Sequence, residues 1–135
     1  MNTSILAPIY TIDLFTANKS LVDTLHSKNI IVNCYFSGGA YQSWLPDAAY
    51  FDPLRLSTVM TGTDNIWLDI SKYNQLSNYS NYTIADVMTN RIAYANQLGC
   101  DAISPDYVDA SEYHILTVTG VNSTGYSMCE FVTMN

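Results

Sequence analysis

Apolar runs bounded by polar and glycine residues predict four strands. Residues 9–15, IYTIDLF, predict a short strand, and residues 30–36 form a near-continuous apolar run. Runs of that kind are typical of strands buried on both faces of a parallel sheet. A third buried strand is predicted over residues 66–70, and a fourth starts directly after Gly99 and carries the stretch CDAISPDYVD.

Helical periodicity lies between these strands. The pattern of residues 19–28 predicts a helix, with Ser20 and Asp23 as a capping box at its start. A clearer helix is predicted over residues 83–98, because its apolar residues repeat at helical spacing. Its capping box pairs Thr83 with Asp86, and Gly99 fits the position that stops a helix; the periodic apolar residues are Ile84, Val87, Met88, Ile92, Ala95 and Leu98.

Residues 40–65 show no sustained period. A stretch this long inside a compact domain is typical of a lid or a binding loop. After residue 109 the pattern predicts only a weaker strand over residues 114–118 and a short final helix opening near Asn122.

The order of strands and helices predicts an α/β fold of parallel βα units. Acidic residues and glycines follow the predicted strands, at the edge where such folds bind ligands. The sequence contains neither a G-x-G-x-x-G motif nor a P-loop, so dinucleotide and nucleotide folds lose support. We expect no cofactor.

Length and charge narrow the class of function. The chain has 135 residues, which suits a single domain spanning 1–135, and 48% of them are apolar. Five basic residues against 12 acidic ones give a net charge of −7. Nucleic acid is therefore not an expected partner, whereas an acidic cleft favours neutral or cationic ligands. No apolar run approaches the ~20 residues of a membrane span.

Glycosylation triplets and cysteines bear on the compartment. The N-terminus is not a signal peptide as written, yet five Asn-x-Ser/Thr triplets are present. They indicate a secreted protein whose leader is not part of this sequence, or they arise by chance. The three cysteines, Cys34, Cys100 and Cys129, fit one bridge with a free thiol or no bridge. Their spacing does not suggest zinc, and we expect no metal.

Three blocks, in order, carry a family resemblance: NCYFSGGAYQSWLPDAAYF, WLDI and GCDAISPDYVD. Together they resemble glycoside hydrolase family 114, the endo-α-1,4-polygalactosaminidases, from about Ile9 to Asn122. The resemblance implies a (β/α)8 barrel acting on a polysaccharide that contains galactosamine. Such a barrel typically needs about 250 residues, so we expect a partial barrel, roughly its first half.

The chain departs from the family pattern at polar positions. Thr11 and Ser104 stand where the family has acids, and Gln42 stands where a further acid falls. Leu45 and Ser71 replace arginines, and Tyr107 replaces an asparagine. Thr16, after the first strand, replaces an acid of the family pattern YDIDLFD. This number of changes in one cleft indicates relaxed constraint.

The resemblance implies a set of site residues. Asp106 is the candidate nucleophile or charge stabiliser, although a solvated loop acid or a helix cap is the alternative. No proton donor is evident, because Glu112 and Glu130 lie off the matched motifs. The expected substrate contacts are Asp13, Tyr35, Tyr41, Trp44, Asp69 and Asp109, with core packing the stronger interpretation for Tyr35.

Three hypotheses follow. The chain is a hydrolase of this type that is weak or inactive as written, a carbohydrate-binding pseudoenzyme, or a half-barrel fragment. A half-barrel would expose two parallel strand edges, which predicts self-association. The replacement of an essential acid by Ser104 is expected to remove several kcal/mol of transition-state stabilisation. Each 1.36 kcal/mol corresponds to about a tenfold change in rate.

Overall fold

The computed structural model describes residues 8–108. The predicted strand over residues 114–118 and the helix near Asn122 lie outside them. Within the described range no helix has the length and apolar character needed to cross a membrane. The helices and strands follow in chain order as β1 (Ile9–Asp13), α1 (Lys19–His26), β2 (Ile31–Ser37), β3 (Ala40–Tyr41), β4 (Leu56–Val59), β5 (Ile66–Leu68), α2 (Ile84–Leu98) and β6 (Ala102–Asp106).

The described chain divides into two compact units. Among residues 8–108, unit 1 contains residues 8–36 and Thr89–Pro105, and unit 2 contains Ser37–Met88 and residues 106–108. Unit 1 is therefore built from two segments that are distant in sequence. A disulfide between Cys34 and Cys100, with Cα atoms 5.9 Å apart, joins these two segments. The sequence left open whether a bridge forms, and the structure contains one.

A parallel sheet with strand order β1-β2-β6 organises unit 1. β1 and β2 pair in parallel, with Thr11 opposite Asn33 and Asp13 opposite Tyr35. β6 runs the same way, because the N–H of Asp101 donates to the carbonyl of Val32 at one end and the N–H of Gly38 donates to that of Asp106 at the other. The parallel sheet agrees with the fold predicted from the sequence.

The core of unit 1 lies on one side of this sheet. Alternation along β2 buries Val32, Cys34 and Phe36, which are at most 3% exposed, while the residues between them are less buried. The helices contribute further buried apolar side chains. These are Val22 and Leu25 of α1 and Ala95 and Leu98 of α2.

Unit 2 holds a second sheet that the sequence pattern did not predict. β5 lies between β3 and β4 and pairs antiparallel with both. The predicted strand over residues 66–70 is present as β5, but it belongs to this antiparallel sheet and not to the parallel one. The prediction of one long loop over residues 40–65 was wrong. That stretch contains two short strands and two three-residue 3₁₀ helices. Each is too short to produce a sustained period of apolar residues.

The helix ends test the capping predictions. The box at α2 is confirmed, because the N–H of Asp86 donates to Thr83 Oγ1 (2.9 Å) and the N–H of Thr83 donates to Asp86 Oδ2 (2.8 Å). Gly99 stops this helix at φ +88°, where a residue with a Cβ is strained. The predicted cap of α1 was wrong: Asn18 accepts from the N–H of Leu21, since it stands one residue before the helix.

Candidate functional site

Three neutral side chains form a hydrogen-bonded row across the parallel sheet of unit 1. Asn33 on β2 donates from Nδ2 to Thr11 Oγ1 on β1 (3.1 Å) and to Ser104 Oγ on β6 (2.8 Å). Thr11 and Ser104 are two of the positions where the family resemblance implies acids. The row therefore presents hydroxyl and amide groups in place of carboxylates.

The row lies on the less buried face of the sheet. Thr11 is exposed and both Asn33 and Ser104 are half-buried, whereas their strand neighbours Ile12 and Val32 are buried. On the same face, Ile9 and Ile31 expose 54% and 48% of their surface. Since side chains alternate along a strand, the row and these isoleucines belong to one face that is open among the described residues of unit 1.

Asp13 and Tyr35 lie one step further toward the strand ends. Asp13 Oδ1 accepts from the N–H groups of Phe15 (3.0 Å) and Thr16 (2.9 Å), so this carboxylate caps the turn that leaves β1. The carbonyl of Tyr35 accepts from the N–H of Leu14 (2.8 Å), and both Asp13 and Tyr35 are half-buried. The turn hydrogen bonds orient Asp13 whether or not it also contacts a ligand.

Asp106 is an exposed residue at the carboxyl end of β6, in unit 2. Its carbonyl accepts from the N–H of Gly38 (2.7 Å), and the carbonyl of Gly39 accepts from the N–H of Leu68 (2.9 Å). The backbone of this glycine pair thus connects the end of β6 to β5. Asp106 follows Ser104 by two residues on β6.

A second neutral group follows Asp106 in unit 2. The Tyr107 ring packs edge-on against Trp67, with centroids 6.0 Å apart. Asn65 donates to the Tyr107 hydroxyl (3.4 Å) and accepts from Gln42 (3.5 Å), which are long and therefore weak hydrogen bonds. Gln42 and Tyr107 both depart from the family pattern, and Asn65 connects them.

The remaining predicted contacts are dispersed in unit 2. Tyr41 packs edge-on against Phe51 (5.8 Å), and Trp44 exposes 61% of its surface. Asp69 is only 8% exposed; it accepts from the Ser71 hydroxyl (2.6 Å) and pairs with Lys72 Nζ (2.8 Å). Its carboxylate also accepts from the N–H of Ser71 (3.2 Å) and so caps the short 3₁₀ helix Ile70–Lys72. Asp109 lies outside the described residues.

Three carboxyl groups have pKa values below the usual range. Hydrogen bonds from the N–H groups of Leu54, Thr83 and Val32 are the leading causes of the lowered pKa of Asp52, Asp86 and Asp101, respectively. A catalytic proton donor needs a raised pKa, so these three serve as charged acceptors within the fold. Over residues 8–108 no group of three His, Cys, Asp or Glu side chains is arranged to hold a metal ion.

Sequence reasoning missed Asn33 and Asn65. Both stand inside or beside apolar runs, where an amide needs a hydrogen-bond partner, and Asn65 is 4% exposed. A polar residue interrupting a buried strand was the available signal.

The parallel βα sheet, with polar side chains on its open face and acids at its strand ends, defines an α/β domain. The family model for glycoside-hydrolase family GH114 matches residues 1–134, and the chain belongs to that family. The crystal structure of Aspergillus fumigatus Ega3 in complex with galactosamine is similar, with a TM-score of 0.72 and 34% sequence identity. The match covers 83% of this chain and 41% of that one. A comparison with curated protein sequences gives no match.

Proposed function

We propose that this chain is a domain of the GH114 lineage that binds a polysaccharide containing galactosamine and cleaves it weakly or not at all. The observation that carries the proposal is the neutral row Thr11–Asn33–Ser104. Its outer members occupy two of the positions where the family resemblance implies acids. The row offers hydroxyl and amide groups to sugar hydroxyls but no proton of suitable acidity.

The chemistry of glycoside cleavage explains the loss of rate. One carboxyl group protonates the leaving oxygen, and a second attacks the anomeric carbon or activates water. Asp106 is the proposed nucleophile or charge stabiliser. Ser104 cannot take the other role, because its hydroxyl is a very weak acid. A binding pseudoenzyme is the first candidate function. A weak hydrolase is the second, and the retained Asp106 supports it.

Charge and aromatic groups support the ligand class. Galactosamine is bound in the similar crystal structure, and its amino group is cationic at neutral pH. A chain with a net charge of −7 attracts such a ligand. The further substrate contacts that we propose are the carboxylates and aromatic rings Asp13, Asp69, Asp109, Tyr35, Tyr41 and Trp44.

We also propose that the parallel sheet is part of a (β/α)8 barrel. The chain spans less than half of the Ega3 structure, and within the described residues β1 and β6 are the outer strands of the three-stranded sheet. An outer strand offers an edge to which a further strand can pair, which supports self-association through sheet edges or assembly with another barrel segment.

An extracellular location is part of the proposal. The chain contains the Cys34–Cys100 disulfide, and disulfides persist in oxidising compartments and are rare in the cytosol. The Asn-x-Ser/Thr triplets fit a secreted protein as well. A nucleic-acid partner is not proposed, because the chain has only five basic residues.

The test pairs a binding measurement with a cleavage measurement. Calorimetric titration with a galactosamine oligomer is expected to give saturable binding, whereas release of reducing ends at high protein load stays near background. Rapid release would contradict the weak or inactive state, and the absence of binding would contradict the ligand class. A neutral glucose oligomer serves as the matched control ligand.

A further inference from the structure

Two adjoining glycosylation triplets lie in one closed loop of unit 2. They are Asn78-Tyr79-Ser80 and Asn81-Tyr82-Thr83. The loop is closed by backbone hydrogen bonds from the N–H of Ser77 to the carbonyl of Tyr82 and from the N–H of Asn81 to the carbonyl of Ser77, both 3.2 Å. The Ser77 hydroxyl also accepts from the N–H of Tyr79 (2.9 Å). The loop is thus a defined turn with both asparagines exposed.

Large apolar side chains are exposed around this turn. Tyr79 is 68% exposed and Leu76 60%. The Tyr82 ring packs against Tyr50, with centroids 4.7 Å apart, and the Ser80 hydroxyl donates to the carbonyl of Tyr50 (2.6 Å). Exposed side chains of this kind offer a surface against which a covalently attached group can pack.

We propose that Asn81 carries an N-linked glycan whose first sugar rings pack against Tyr79. Asn81 has φ +58°, a left-handed conformation that asparagine tolerates better than most residues. Tyrosines stand two residues before and one residue after it, and the apolar face of a sugar ring is complementary to an aromatic ring. A bulky surface glycan there covers the exposed apolar group.

The other described triplet differs in its surroundings. Asn18 accepts from the N–H of Leu21 (2.9 Å) and caps α1, so its side chain already has a structural role. The triplets at Asn2 and Asn122 lie outside the described residues. Among the described triplets, exposed asparagines and an exposed aromatic ring therefore lie together in the turn of Asn78 and Asn81, and Asn81 is the asparagine of the two with a left-handed backbone.

The test is secretion of the full chain from yeast behind a fused leader, followed by glycopeptide mass spectrometry. Enzymatic deglycosylation in ¹⁸O water marks each occupied asparagine as labelled aspartate. The expected result is majority occupancy at Asn81, abolished by Asn81→Asp and retained in the control Asn78→Gln. Aspartate is chosen because it also tolerates the left-handed conformation.

Packing against Tyr79 has its own readout. Deglycosylation is expected to lower the melting temperature of the secreted chain, and this loss is expected to disappear in Tyr79→Ala. Secretion with Asn81 unmodified, or with Asn78 occupied in its place, overturns the inference alone. Retention in the cell without a glycan also overturns the inference, whereas the proposed extracellular location, on which the inference rests, is argued from the disulfide and is not decided by a fused leader. Ligand binding is measured separately and is not affected by either outcome.

Discussion

Breaking the Cys34–Cys100 bridge is expected to be among the most destabilising changes to this chain. The bridge joins residues separated by 66 positions and connects the two segments of unit 1. In the chain-entropy treatment, closing a loop of about that length stabilises the folded state by about 4 kcal/mol relative to the open chain. Since whole domains have unfolding free energies of about 5–15 kcal/mol, the loss leaves little net stability.

Urea unfolding measures this loss. The Cys34→Ala/Cys100→Ala variant is compared with wild type, and Cys129→Ser is the control that removes a cysteine outside the bridge. With a urea dependence of about 2 kcal/mol per molar, the midpoint is expected to fall by about 2 M. Fully reduced wild type separates the bridge from the buried side chain that Cys34→Ala removes, because it keeps both thiols.

A small effect would refute this reasoning. If both the double variant and the reduced wild type lose less than about 1 kcal/mol, the two segments of unit 1 do not depend on the bridge. A fall in the variant alone would assign the effect to the loss of packing at Cys34, which is fully buried.

Three further predictions concern the row, a helix cap and acid stability. Ser104→Glu alone is expected to leave reducing-end release at background, because Thr11 and Gln42, two other positions at which the family resemblance implies acids, are still neutral; measurable activity would contradict this. In bacterially produced protein, Thr83→Ala is expected to cost about 1 kcal/mol in urea unfolding, because the capping box of α2 is lost, whereas Thr83→Ser retains most of it. Asp101 has a lowered pKa, mainly because the N–H of Val32 donates to it, so its contribution is present above about pH 4 and is lost as the pH falls through its folded-state pKa. Asp101→Asn is therefore expected to be destabilised at pH 7, with the difference from wild type shrinking below pH 4; a constant difference across that range would contradict the assignment.

The sequence allowed prediction of the parts of the fold that have long, uniform patterns. The apolar run of β2 and the capped, periodic α2 appear where the pattern placed them, within one or two residues. The antiparallel sheet of unit 2 was missed, because β3 has only two residues and the strand predicted at β5 carries no signal of the direction in which it pairs. Arg91 was also missed: it is 2% exposed and lies over the Phe15 ring, a placement that no local pattern signals.

For the candidate site, the family resemblance identified positions but not their partners. It marked Thr11 and Ser104 as departures from an acidic pattern. It could not show that Asn33 joins them, because that contact depends on the register between strands that are far apart in sequence. The assignments of Asp106 and the aromatic residues remain predictions.

The most direct test of the proposed site is an NMR titration of the ¹⁵N-labelled chain with a galactosamine oligomer. We expect saturable chemical-shift changes at the Asn33 side-chain amide and at the backbone amides of Thr11, Asn33, Ser104 and Asp106. The Asn33→Ala variant is expected to bind more weakly, because it removes the donor to both hydroxyls. Binding that leaves these signals unmoved, or no binding at all, would contradict the central claim.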